Sequence, residues 1–197
     1  VWELGGVQPN PRLSLVREGI RLCHEHDIQL VLAVGGGSAI DTAKAVANGA
    51  CYDGDVWDLF DGKGKNTEVL PLGTVVTIPA AGSEMSDSSV ITREEDLCKR
   101  GRNTPLNFPK FSILNPEFTY TLPPFQTACG AVDIMAHMME RYFTRVTHVE
   151  LIDRMTEGAL KTVVNNAPIV MQDPENYDAR AEIMWAGCLA HNTLFQT

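Results

Sequence analysis

With 197 residues, 44% of them hydrophobic, the chain is long enough for one large domain or two small ones, each with a real core. Its net charge of −9 argues against nucleic acid or an anionic membrane as a partner, because both select basic surfaces. No apolar run approaches bilayer-spanning length, no signal-peptide pattern opens the chain, and its five cysteines form no C-x-x-C pair, so a cytoplasmic protein with reduced thiols is expected.

Val1-Trp2-Glu3-Leu4 reads as part of a strand, without an initiator methionine. Pro9–Pro11 is a turn, and Leu13–Asp27 has apolar residues at helical spacing (Leu15, Val16, Ile20, Leu22) with charges between. Leu30–Val34 is wholly apolar, as expected of a parallel strand covered on both faces. Gly35, Gly36 and Gly37 follow, then a helix to about Asn48. Residues 51–67, rich in Asp, Gly and Lys, read as a surface connection. Val75–Ile78 is the next apolar run, ended by Pro79, and Ala80–Ser89 is small and polar around Gly82-Ser83-Glu84. Val90-Ile91-Thr92 reads as a strand, 93–103 as a charged excursion, and Phe111–Leu114 as a further strand closed by Asn115-Pro116. Beyond Pro123-Pro124 helical patterns dominate, over about 125–144, 149–165 and 178–195. Strand–helix alternation followed by helices alone predicts two domains, an α/β domain over 1–122 and an all-α part over 123–197. The chain stops at Thr197 before any turn signal, and its two ends together predict a piece of a longer protein.

Two places carry chemistry. The first is the glycine loop. Three glycines let the backbone approach a ligand without a Cβ in the way. Ser38 with Asp41 three residues later fits the N-cap and N3 positions of a helix, close to a capping box. The first N–H groups of that helix and the positive end of its dipole would face the loop, where a pyrophosphate could sit. Neither G-x-G-x-x-G nor the G-x-x-x-x-G-K-[ST] loop is present. Taken locally, a phosphate cradle and a plain glycine-rich turn remain equally open.

The second is Asp133 and His137. Four residues apart on a helix, a carboxylate and an imidazole converge on one spot, an oxygen and a nitrogen donor suited to Fe(II) or Zn(II). The alternatives are a helical Asp–His ion pair and a histidine hydrogen-bonded in the joint between the domains. His24 and His26 read as a solvated helix end, His148 as part of a polar joint, and His191 as a structural histidine or one facing the cleft.

In this order the pieces resemble the iron-containing (group III) alcohol dehydrogenase family, in its branch of NADP-dependent butanol dehydrogenases and broad-specificity aldehyde reductases. The resemblance rests on Leu4–Pro11, on Ala33–Ser38 with Asp41 and Lys44, and on Ile78–Glu84. It continues through Asn115-Pro116, Thr119–Pro124, Gly130–Asp133 with His137, Pro174–Asp178 and Trp185-Ala186, so that it runs through the whole chain. Ala81 stands where the branch usually carries Thr. The resemblance implies a partial Rossmann-like α/β nucleotide-binding domain and the start of an all-α metal-binding domain. It assigns Gly36, Gly37 and Ser38 to the cofactor pyrophosphate and Asp41 to the nicotinamide end. Thr77, Ser86, Ser88, Lys99 and Leu122 would line the rest of the dinucleotide cleft. Lys99 has a solvated loop lysine as its other reading. Asp133 and His137 fall on the first two of four metal ligands, and through the metal they would be catalytic.

The activity implied is hydride transfer between NADP (or NAD) and a short-chain alcohol or aldehyde, with Fe(II) or Zn(II) polarising the oxygen, in a homodimer or larger homo-oligomer. The other two ligands and the first strands are expected outside the chain, leaving it an incomplete and inactive piece. The alternatives are a glycerol dehydrogenase or dehydroquinate-synthase-like enzyme of the same superfamily, and a non-catalytic nucleotide-binding fragment.

Overall fold

The computed structural model describes residues 1–195, and the chain forms two compact units. One comprises Val1–Val75 with Asp87–Ser112, the other Val76–Ser86 with the residues from Ile113 onward. A single cut at residue 122 does not separate them. The segment Val76–Ser86 goes with the helices because its backbone fits where those helices carry Gly130 and Gly187.

In the first unit Val1–Leu4 is not a strand. Trp2 instead stacks on His26, with ring centroids 3.6 Å apart. Helix α1 (Leu13–Glu25) buries Leu13, Val16, Gly19 and Cys23, a spacing of three and four residues that forms one face. Strand β1 (Val31–Gly35) leads into α2 (Gly37–Gly49), where every residue from Thr42 to Gly49 is buried. The strand is not covered on both faces: Ala33 is buried, whereas Leu32 and Val34 are 50% and 62% exposed. With β2 (Leu72–Val76) and β5 (Phe111–Ile113) it makes a sheet of order β1-β2-β5, so β1 lies at an edge with one face packed on α2.

Two elements lay hidden in polar sequence. The expected surface connection contains α3 (Val56–Phe60), capped by Asp55 accepting from the Trp57 N–H, with Val56, Trp57, Leu59 and Phe60 in the core. The charged excursion contains β4 (Cys98–Asn103), paired antiparallel with β3 (Ser88–Arg93) from Ser88↔Asn103 to Arg93↔Cys98. Arg100 of β4 pairs with Asp61 at 3.1 Å, and Arg102 donates to the Asn48 and Asn66 side-chain oxygens at 2.8 and 2.6 Å. Buried Asn107 accepts from Asn48 and donates to the Asp87 carbonyl at 2.7 Å.

The second unit is built on α4 (Pro124–Tyr142), α5 (Glu150–Gln172) and α6 (Tyr177–Ala190). Helix α5 runs past its expected end and through Pro168, because Val163 and Val170, two turns apart, stay buried on one face. Helix α6 ends at Ala190, short of 195, and Thr193–Phe195 forms a separate 3-10 turn. Ile134 and Met138 of α4 and Ile183 and Ala186 of α6 share one core. On its opposite face α4 leaves Phe125, Val132 and Met139 exposed, and Phe143 at its C-cap is exposed as well.

Glycines set the closest approaches of this unit. A Cβ at Gly130 would lie 2.6 Å from the Pro79 carbonyl oxygen, and one at Gly187 would lie 3.0 Å from Ile134 Cδ1. The Gly130 neighbour is backbone and cannot swing aside. Gly130→Ala should therefore cost about 1–3 kcal/mol, read as a lower urea midpoint of unfolding with little change in slope.

Cys188, buried 3.3 Å from Met85 Sδ, has its thiol pushed up from near 9 to about 12, chiefly by burial and further by Glu84. The folded chain thus favours the neutral thiol. The corresponding stability is complete below about pH 9 and is lost as pH rises towards about 12. Stability measured by urea between pH 8 and 11 should fall less steeply in Cys188→Ala than in the parent chain.

Candidate functional site

The glycine loop joins β1 to α2 as the sequence predicts, but the cap differs. Gly36 is the N-cap, in extended conformation and without a side-chain hydrogen bond; Ser38 is the second residue inside the helix and its carbonyl accepts from the Thr42 hydroxyl at 2.8 Å. The capping box is not formed, because Gly37 already has helical conformation and the helix begins two residues earlier than Ser38 as N-cap would place it. Gly35, at φ +156°, passes so close to α2 that a Cβ there would sit 2.7 Å from Ala39 Cβ. The N–H groups of Gly37 and Ser38 lie in the first turn, where a helix offers them no acceptor.

One turn further in, the Asp41 carboxylate accepts from the Val90 N–H at 2.9 Å. Fully buried Lys44 donates to the Ser88 carbonyl at 2.7 Å. Asp41 and Ser88 are thereby brought together by the fastening of β3 to α2. Lys99 lies exposed on β4 and its ammonium donates to the Asn10 side chain at 2.8 Å. Thr77 is half-buried just past β2. Leu122, half-buried, lines a shallow crevice with Pro79, Gln126, Thr127, Arg180 and Ile183. Buried Arg180 has no sequence signal; it donates to the Pro174 carbonyl at 2.7 Å, and burial pushes its guanidinium down from the usual range.

Asp133 and His137 converge on α4. Asp133 Oδ1 lies 3.8 Å from His137 Nε2, and the two side chains are 49% and 25% exposed. Glu140 approaches the other ring nitrogen at 3.9 Å. One carboxylate oxygen and one imidazole nitrogen, both reachable from solvent, fit two positions on a borderline divalent cation. Among the described residues no group of three or more His, Cys, Asp or Glu is placed to hold a metal, so this pair would supply only part of a coordination sphere.

The remaining histidines separate. His24 Nε2 lies 2.9 Å from the Ala50 carbonyl, His26 stacks on Trp2, and His148 occupies a left-handed turn at φ 63°. His191, at the C-cap of α6, stacks on the His137 ring with centroids 4.8 Å apart and planes 22° from parallel. Ser86, buried in the same unit, places its Oγ 3.4 Å from His191 Nδ1. Spacing along the sequence offered no signal for this contact.

Residues 1–116 match the iron-containing alcohol dehydrogenase family, and residues 127–197 match the C-terminal region of the Fe-containing alcohol dehydrogenase family. A probable NADH-dependent butanol dehydrogenase 2 of Bacillus subtilis is 50% identical over 196 residues, covering 100% of this chain and 50% of that protein. The NADPH-dependent aldehyde reductase YqhD of Escherichia coli is 39% identical, covering 98% and 51%. The crystal structure of NADH-dependent butanol dehydrogenase A from Thermotoga maritima superposes with a TM-score of 0.93 at 40% identity, over 96% of this chain and 48% of that one. The chain spans about half the length of the curated relatives it matches. With a glycine loop between β1 and α2, an Asp–His pair on α4 and these matches along its length, the chain belongs to the iron-containing alcohol dehydrogenase family.

Proposed function

We propose that this chain supplies the dinucleotide-binding part and the first two metal ligands of an NAD(P)-dependent alcohol dehydrogenase or aldehyde reductase acting on short-chain alcohols or aldehydes. The observation that carries the reading is the Asp133–His137 pair, one turn apart on a helix rigidly packed through Ile134 and Met138. Asp133 Oδ1 and His137 Nε2 would hold Fe(II) or Zn(II). When bound, the metal supplies Lewis acidity and the nicotinamide supplies or accepts hydride.

The chain's own residues bind and orient. Gly36, Gly37 and Ser38 present first-turn N–H groups to a pyrophosphate, and α2 adds the positive end of its dipole. Asp41 and Ser88, fastened to each other's elements, hold the neighbouring surface still. Thr77, Ser86, Lys99 and Leu122 complete the proposed cofactor-binding set. Ser86 is buried against His191, which favours support over direct contact. NADH is favoured as cofactor, since the relative at 50% identity is named NADH-dependent and the NADPH-dependent one is 39% identical. A reducing compartment and a homo-oligomer belong to the same reading, the former supported by five free thiols. Among the described residues, the two-donor set favours nucleotide binding without turnover for this chain alone.

In a protein extended to the length of the relatives, butanal should drive metal-dependent oxidation of NADH faster than of NADPH. Asp133→Ala and His137→Ala should each lower kcat/KM by more than about a hundredfold. Unchanged activity in either variant would reject the site.

A further inference from the structure

We infer that His191 is a positioning residue for His137, and that Ser86 holds His191 in place; this rests on the proposed metal site at Asp133 and His137. Packing within the helical unit leads to the contact. Helices α4 and α6 approach closely where Gly187 faces Ile134, since a Cβ at Gly187 would meet Ile134 Cδ1 at 3.0 Å. One turn further along each helix stand His137 and His191, whose rings stack at 4.8 Å. The close approach therefore sets the height at which the second ring meets the first.

His191 is itself held. Gly82, at φ +63°, brings the following turn against the end of α6: a Cβ there would lie 2.8 Å from the Gly187 carbonyl and 3.2 Å from His191 Cβ. That turn carries Ser86, whose Oγ lies 3.4 Å from His191 Nδ1. On its backbone side, His137 gives its carbonyl to Arg141 at 2.8 Å. An imidazole on an isolated helix samples several rotamers, and only those aimed at Asp133 bring both donors to one point. A ring lying on the face of His137 removes rotamers without occupying either nitrogen. The metal-facing nitrogen thus stays available while its direction is narrowed.

The test is a Zn(II) titration of the 197-residue chain followed at the His137 ring resonances by NMR, with the unfolding midpoint of each variant recorded. His191→Ala should raise the Zn(II) dissociation constant roughly two- to tenfold and remove the ring-current shift of His137. His191→Phe, which restores a ring face but no ligand nitrogen, should return the constant to within about twofold of the parent chain. Ser86→Ala should fall between, and it serves as the working variant if His191→Ala unfolds. Unchanged affinity in the alanine variants overturns the positioning role. So does a Phe variant as weak as the Ala variant, since the nitrogens of His191 would then be what matters. If the parent His137 resonances ignore Zn(II), or Asp133→Ala leaves binding intact, the metal reading itself fails and takes this inference with it. That failure shows in the parent chain or in Asp133→Ala, and so is distinguishable from the other.

Discussion

Close approach at positions that carry no Cβ is the constraint on which both units depend. Gly35 lets β1 turn into α2 at a distance no side chain would allow, and Gly130 seats α4 on the Pro79 carbonyl. Gly82 lets the Val76–Ser86 segment reach the Gly187 carbonyl of α6, and Gly187 lets α6 close on Ile134 of α4. Interiors pack densely and yield little, so a contact this short fixes everything built above it. In the first unit it fixes where the opening turn of α2 stands. In the second it fixes the height of α6 against α4, and with it the pairing of His137 and His191.

Helix α2 shows how a buried element can also be a polar one. Lys44 is fully buried and Asn48 nearly so, and each is engaged: Lys44 with the Ser88 carbonyl, Asn48 with Asn107, Asn66 and Arg102. Buried polar groups are costly when unmet and directional when met. The result is a helix that cannot rotate or slide without breaking several hydrogen bonds. A phosphate cradle built from first-turn N–H groups needs that rigidity, since it has no side chain with which to adjust.

Legibility in the sequence followed local periodicity. Leu13–Glu25, the glycine loop and the α4 pattern could be read because their apolar spacing or glycine content is written in adjacent residues. Helix α3 and strand β4 could not. The four core residues of α3 sit among Asp, Gly and Lys, and its helix is a single capped turn. Strand β4 is Cys-Lys-Arg-Gly-Arg-Asn, with no alternation, and it exists because β3 pairs with it and Asp61, Asn48 and Asn66 receive its arginines. At the candidate site, Asp133 and His137 are visible as a pair, whereas the cap falls at Gly36 and not at Ser38 because three glycines leave the helix start free to move by two residues.

The sequence by itself determined the two-part character of the chain, the glycine turn ahead of α2, and the convergence of Asp133 with His137. Each follows from a period or a missing Cβ within a few residues, which holds whatever surrounds it. Only the tertiary structure decided that the Val76–Ser86 segment joins the helical unit, that Asp41 and Lys44 bind β3, and that His191 stacks on His137 with Ser86, 105 residues away, beside it. Those contacts come from how closely helices and turns can approach, and closeness is a property of the packed chain rather than of any stretch of it.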